Sequence, residues 1–336
     1  MRLVAHLTIC ASLALGLMGL SSTSEAQSPI IMKLGTATIN DGQHEYYKRL
    51  AKEVEEKSGG RIKVEIYPAS QLGSIPRQIE STQIGAIQGF IAPSEFFEGV
   101  DKRFQILGAA GLFKDWDQTE RVLHDKEFRK LFFSFGAEKG LEVGGIFVSG
   151  PTGFNTRQPL ASISDLSGKK IRIMSSPIQI ESVKKLGASP IPISLGEVLP
   201  SLQQGTIDGV YIVLSVINQL RFYDVAPVMT ETAFTYSTSV FVLSRTWLDQ
   251  LPPDLRAVVE KSADDISASL APWLKNFYAA QQQAWIKNGG KLEQLSKDDD
   301  DKARASLATL SDTLLSSDQT TAEAYKSLKA AQARVE

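Results

Sequence analysis

The chain runs to 336 residues, 43% of them hydrophobic, with 36 lysines and arginines against 38 aspartates and glutamates. That even balance, with no strongly basic block, argues against a nucleic-acid partner. The one cysteine and one histidine stand in the first ten residues, and the other two histidines, His44 and His124, are 80 residues apart, so a zinc or iron site would have to rest on carboxylates.

The opening segment "MRLVAHLTICASLALGLMGLSSTSEAQ" has Arg2 near its start, an apolar run from Leu7 to Leu20, and Ser24 and Ala26 placed for cleavage. This is the pattern of a secretory signal peptide, residues 1–26. An apolar run of about 14 residues falls short of the roughly 20 that span a bilayer. The flank "LTIC" lacks the small residue that a lipoprotein cleavage site carries before its cysteine. Cys10 leaves with the leader, so no disulfide is expected in a protein placed in the periplasm. Removing 26 of 336 residues leaves 310, enough for two domains.

After the leader, "IIMKLGTA" reads as a strand, and "EYYKRLAKEVEEKSGG" as a helix with Tyr46, Leu50, Ala51 and Val54 on one face and Gly59 at its end. "RIKVEIYP" alternates Ile62, Val64 and Ile66 with Lys63 and Glu65, a strand with one buried face. The alternation continues through helix "SIPRQIESTQIGA", strand "IQGFIAP", one long helix "DQTERVLHDKEFRKLFFSFGAEKG" and strand "LEVGGIFV". A second run starts near Phe154: strands "FNTR" and "KKIRIM", helix "PIQIESVKKLG", strand "SPIPIS", helix "GEVLPSLQQG" and strand "GVYIVL". A further strand "SVFVLS" leads into a long helical stretch broken near Pro272 and a polar helical end from Asp298. Two βα arrays predict an α/β protein with two lobes and a crevice between them.

Marks of common chemistry are missing: there is no HExxH, EF-hand, Walker, G-x-S-x-G or G-x-G-x-x-G pattern. "SKDDDDKARAS" has consecutive rather than alternate carboxylates and no turn glycine. It suits a helix capped by Ser296, its first-turn acids facing the positive end of the dipole, better than a calcium loop. No cofactor and no metal is expected, nor an enzyme.

Along "KKIRIM", Ile171 and Ile173 face one way, and Lys170, Arg172 and Met174 the other. In "FNTR", Asn155 and Arg157 likewise share a face. Two arginines on neighbouring strands can converge on an anion, since a guanidinium offers a carboxylate two parallel charge-assisted hydrogen bonds. An internal ion pair or an exposed strand edge explains the same pattern.

The segments "SGGRIKVEIYPASQLGS", "IESTQIGAIQ", "SDLSGKKIRIMSSP", "KLGASPIPISLGEVLPSLQQGTIDG" and "WLDQLPPDLRAVVEKSADD" occur in the order and spacing of the substrate-binding proteins of TRAP transporters, DctP type. The resemblance runs from about Lys33 to Ala280. It implies a two-lobed periplasmic binding protein fold, class II-like, with mixed sheets, flanking helices and a long helix spanning both lobes. Lobe I would hold residues 28–153 and 238–280, and lobe II residues 154–237 and 281–336. In that family the arginine of the "KIR" strand clamps the carboxylate of an organic acid, which falls here on Arg172; the arginine ending the preceding strand, a frequent second contact, falls on Arg157, with Asn155 beside it.

The sequence also departs from the pattern. Where sialic-acid binders of the family carry "QEN" after "IDG", this chain has "VYI", putting Ile212 at the asparagine position, and Leu195 stands where they carry an aromatic residue. Both lean toward a dicarboxylate, a keto acid, or an aromatic or aliphatic monocarboxylate rather than a sugar acid. Tyr211 and Tyr236 are either ligand contacts or core. From the first lobe, the loops "TINDGQHE" and "APSE" follow strand ends and offer Gln43, His44 and Ser94.

The resemblance implies a monomer that captures a small organic acid by hinge closure and delivers it to the small and large TRAP membrane subunits. A sensory module read by a receptor kinase, and an exported enzyme acting on such an acid, are the alternatives.

Overall fold

The structure is a computed structural model that describes residues 28–336; the leader expected at residues 1–26 lies outside the described residues. In chain order the first elements are β1 (Ile30–Thr36), α1 (Gly42–Lys57), β2 (Ile62–Tyr67), α2 (Ile75–Gln83), β3 (Gly89–Pro93), α3 (Trp116–Leu123), α4 (Lys126–Phe132) and β4 (Leu141–Thr156). There follow β5 (Lys170–Ile173), α5 (Pro177–Lys185), β6 (Ser189–Pro192), α6 (Leu195–Gln204), β7 (Gly209–Val213), α7 (Leu214–Gln219) and β8 (Val228–Ser244). The last are α8 (Arg245–Leu248), α9 (Pro253–Ser269), α10 (Ala271–Lys287), β9 (Lys291–Gln294), α11 (Lys297–Leu315) and α12 (Gln319–Arg334).

Local chemistry accounts for several boundaries. Asp41 caps α1 by accepting from the His44 N–H at 3.1 Å, and α1 buries Tyr46, Tyr47, Leu50 and Val54 along one face. The single helix expected over residues 117–140 is instead two, because Asp125 turns the chain out and caps α4 through the Phe128 N–H at 2.9 Å. Ser296 caps α11 by accepting from the Asp299 N–H.

Strands β4 and β8 organise the molecule. They pair antiparallel from Leu141 with Ser244 to Thr156 with Val228, and among the described residues the sheet runs β2-β1-β3-β8-β4-β7-β5-β6, with β9 on β8. β3 joins only residues 239–243 of β8, whereas β7 joins residues 152–156 of β4 and β9 joins residues 228–231 of β8. Each long strand thus serves the first lobe with one end and the second lobe with the other. Their register shifts between Val148 and Gly150 and again between Pro151 and Gly153. The expected separate strands at "LEVGGIFV" and "FNTR" are one strand with bulges at the crossing. The lobe boundaries expected at 153/154 and 237/238 fall within β4 and β8.

Each lobe buries both faces of its part of the sheet. In the first lobe one face packs Phe90, Phe97, Phe104, Phe128, Phe132 and Phe135, with Phe104 and Phe132 edge to face at 5.6 Å. Such aromatic pairs contribute about 0.5–1.5 kcal/mol beyond their buried area. The other face packs Tyr46, Tyr47, Phe147 and Phe241. The second lobe has one core around Phe154, Ile171 and Ile173 and another around Val198, Val210 and Trp285.

The element spanning both lobes is a pair of helices meeting at Leu270: α9 packs on α1 and β4, and α10 on α7 and β9. α11 gives Ala303 and Leu307 to the second-lobe core. The expectation that residues 281–336 all lie with lobe II does not hold for α12, whose Ala324, Tyr325, Leu328 and Ala331 complete the phenylalanine-rich core of lobe I. The segment 316–318 therefore carries the chain back across the molecule.

Candidate functional site

A cleft of about 790 Å³, part of it open to solvent, lies where the lobes face each other at the β4–β8 crossing. Its first-lobe wall is built from the carboxyl ends of strands, as open α/β sheets dictate: Thr38, Asp41 and Gln43 follow β1, while Ala92 and Pro93 end β3 and Phe96 follows it. Ser149, Thr152 and Ser237 form the floor, from the two crossing strands. The second-lobe wall carries Arg172 of β5, Met174 just after it, Gln179 of α5, Leu195 of α6, and Tyr211 and Ile212 of β7.

Arg172 is 2% exposed. Its neighbours Ile171 and Ile173 point into the second-lobe core, so strand alternation turns the guanidinium to the opposite face, toward the cleft. Among the described residues the one hydrogen bond of its side chain runs from Nε to the Ile193 carbonyl at 3.0 Å. Burial pulls the guanidinium down to about 10, and no neighbouring charge offsets that shift. It remains a cation at neutral pH. A buried charge with no counter-ion costs several kcal/mol, which an anion entering the cleft would offset.

Around Arg172 the polar groups are already organised. The Thr152 hydroxyl lies 2.6 Å from the Tyr211 Oη and 2.8 Å from the Thr235 hydroxyl, and burial raises the Tyr211 pKa so that it stays a neutral phenol. Its ring packs against Phe154 at 4.8 Å. Gln179 accepts from the Met174 N–H at 3.2 Å and donates to Glu95 at 3.3 Å, a bond between the lobes. On the first-lobe side, Gln43 accepts from Thr36 at 2.7 Å and donates to Ser239 at 3.0 Å, and Ser239 lies 2.7 Å from the Ser149 hydroxyl. These three hydrogen-bonded groups hold their side chains in place.

Of the expected site residues, the structure brings Arg172, Tyr211, Ile212, Leu195 and Gln43 to one cleft. Five others lie elsewhere. Arg157 is exposed past the end of β4, and its guanidinium donates to the Leu202 carbonyl at the end of α6 and to the Val225 carbonyl at 3.5 Å. These two backbone acceptors hold it away from the cleft. Asn155 is buried and ties β4 to the start of β8 through the Ala226 and Val228 carbonyls at 2.6 and 2.9 Å. Tyr236 belongs to the first-lobe core. Ser94 is buried against the Phe104 carbonyl at 2.6 Å, and His44 accepts from the Asn40 N–H at 3.1 Å, its imidazole kept neutral by burial.

Sequence reasoning missed Asp41, Thr152 and Gln179. Thr152 sits in "SGPTG", a string of turn formers that reads as a break between strands. Asp41 stands in "TINDGQHE" just ahead of α1, where capping the helix is explanation enough for an aspartate.

The sequence profile described as bacterial extracellular solute-binding protein, family 7, matches residues 35–318. The chain is 32% identical to the uncharacterized protein YiiZ of Salmonella typhimurium over 247 residues, 73% of this chain and 76% of that protein. It is 29% identical to the 2,3-diketo-L-gulonate-binding periplasmic protein YiaO of Escherichia coli over 251 residues, 74% of this chain and 76% of that one. In fold it is similar to a TRAP periplasmic solute-binding protein from Desulfovibrio salexigens solved with bound orotic acid, with a TM-score of 0.86 at 22% identity, covering 91% of this chain and 99% of that one.

Proposed function

The chain belongs to the bacterial extracellular solute-binding proteins of family 7, and from that premise we propose that it captures a small organic acid in the periplasm and delivers it to the membrane subunits of a TRAP-type transporter. One observation carries the reading: Arg172, 2% exposed and with its charge unbalanced, lines the cleft between the lobes. A ligand carboxylate supplies the missing anion through the paired hydrogen bonds that a guanidinium fork favours. That YiaO is a 2,3-diketo-L-gulonate-binding protein and that the Desulfovibrio protein holds orotic acid, both acids, supports a carboxylate.

The mechanism follows from where the walls come from. A ligand seated on Arg172 rests on the second lobe, and Thr38, Asp41 and Phe96 of the first lobe line the same cleft, so both lobes contribute to one enclosure. Closure removes water from the ion pair and strengthens it, so binding and closure favour each other. The hinge is the β4–β8 crossing, where register shifts already interrupt the ladder. Among the described residues no helix is long and apolar enough to cross a membrane. Transfer to the transporter is assigned, as the resemblance to TRAP binding proteins implies, to separate membrane subunits, the small and the large.

The test is mass spectrometry of the small molecule that co-purifies with the protein, followed by thermal shift over a panel of carboxylates. Binding at one hundred times Kd stabilises the native state by about 2.7 kcal/mol. A carboxylate that raises the melting temperature and is recovered unchanged is the expected outcome; a panel without effect, or an acid returned chemically altered, contradicts capture and release.

A further inference from the structure

Two charged side chains line the cleft, Arg172 from the second lobe and Asp41 from the first. Asp41 is 5% exposed, and its carboxylate accepts from the His44 N–H at 3.1 Å. Burial raises the Asp41 carboxyl, while hydrogen bonds from the Thr38 side chain and from the His44 and Gln43 N–H groups act the other way. The rest of the lining is mixed, with apolar Ile75, Ile91, Leu195, Ile212 and Val216 beside the hydroxyl floor of Ser149, Thr152 and Ser237. The cavity thus sets a basic side chain of one lobe and an acidic side chain of the other on its two walls.

We infer that the cleft selects a monocarboxylate whose far end carries a hydrogen-bond donor, a hydroxyl or an ammonium group, and that Asp41 sets this choice by accepting from that donor. The inference rests on Arg172 holding the carboxylate. A ligand with one carboxylate neutralises Arg172 and turns its far end toward Asp41 on the first-lobe wall. An ammonium group there completes a second ion pair, and a hydroxyl completes a charge-assisted hydrogen bond. A second carboxylate instead meets Asp41 in a site emptied of water, with no second cation to separate them. Because the ligand's two ends meet different lobes, the donor is read only as the lobes close, which links selectivity to the closed form.

The test uses length-matched acids that differ only at the far end: succinate, 4-hydroxybutyrate and 4-aminobutyrate, and the six-carbon set adipate, 6-hydroxyhexanoate and 6-aminohexanoate. Isothermal titration is expected to give, within whichever length binds, a dicarboxylate weaker by about tenfold or more than its hydroxy or amino counterpart. Asparagine caps a helix as well as aspartate does, so Asp41→Asn keeps α1 started. It is expected to tighten the dicarboxylate, weaken the amino acid and so close or invert the gap, with unchanged far-UV circular dichroism. A parent protein that takes the dicarboxylate as tightly as its counterpart, or a gap that Asp41→Asn leaves intact, overturns the inference while capture through Arg172 stands. If no acid of either set binds, or if binding survives Arg172→Ala, the carboxylate reading falls and this inference with it.

Discussion

At the scale of single residues, the contrast between Arg172 and Arg157 shows what a strand pattern conveys. Alternation turns Arg172 away from Ile171 and Ile173, and the structure has it facing the cleft. The same rule pairs Arg157 with Asn155, yet Arg157 leaves the end of β4 and bonds to the Leu202 and Val225 carbonyls. Period-two alternation gives direction but not destination, and backbone acceptors distant in sequence decide the latter. Tyr211 and Tyr236 were likewise indistinguishable in the sequence; one lines the cleft and the other fills a core. Replacing Arg172 by lysine keeps a positive charge but loses the planar fork and the Nε bond to Ile193. Arg172→Lys is expected to bind the acid at least about tenfold more weakly by titration calorimetry. Equal affinity would mean that charge alone suffices.

At the scale of elements, β1 through β3 and α1 were legible because their periodicities are clean, whereas β4 was not, because its bulges use turn-forming residues. Gly150 has φ +143°, and a Cβ on Gly153 would stand 2.4 Å from the Thr230 carbonyl oxygen of the paired strand. Glycines there mark a close crossing of two strands rather than a loop. Gly153→Ala is expected to destabilise the protein by about 1–3 kcal/mol in denaturant unfolding, and an unaffected midpoint would show that β4 and β8 separate freely there. A second element-level device joins the lobes: Glu98, just after β3, accepts from the Ser176 hydroxyl at the start of α5 at 3.2 Å. Burial raises Glu98 to about 7. A carboxyl whose folded pKa is raised contributes stability that is fully present below its ordinary value near 4.5 and is lost as pH rises through about 7. Relative to Glu98→Gln, the parent protein is expected to lose melting temperature between pH 5 and pH 8; parallel pH profiles for the two proteins would contradict this.

At the scale of the whole molecule, two α/β lobes share β4 and β8, are bridged by α9 and α10, and are tied back by α12 on the first lobe. The lobed plan was readable from two successive βα arrays and an extended family resemblance. The return of α12 was not, because an amphipathic helix shows that it packs but not on which surface. If the crossing is a hinge, small-angle scattering is expected to show a smaller radius of gyration with the acid bound than without it, and no change would place the lobes in a fixed arrangement. The central claim is that the partner of Arg172 is the ligand's carboxylate. Titrating the co-purified acid into Arg172→Ala, with the melting temperature of the empty variant measured alongside, tests it most directly. Loss of measurable binding with an apo melting temperature close to the parent's is expected, since Arg172 has no counter-ion to leave behind and its removal costs the protein one hydrogen bond, to the Ile193 carbonyl. Parent-like affinity, or a collapse of the empty protein's stability, would show that the arginine belongs to the scaffold.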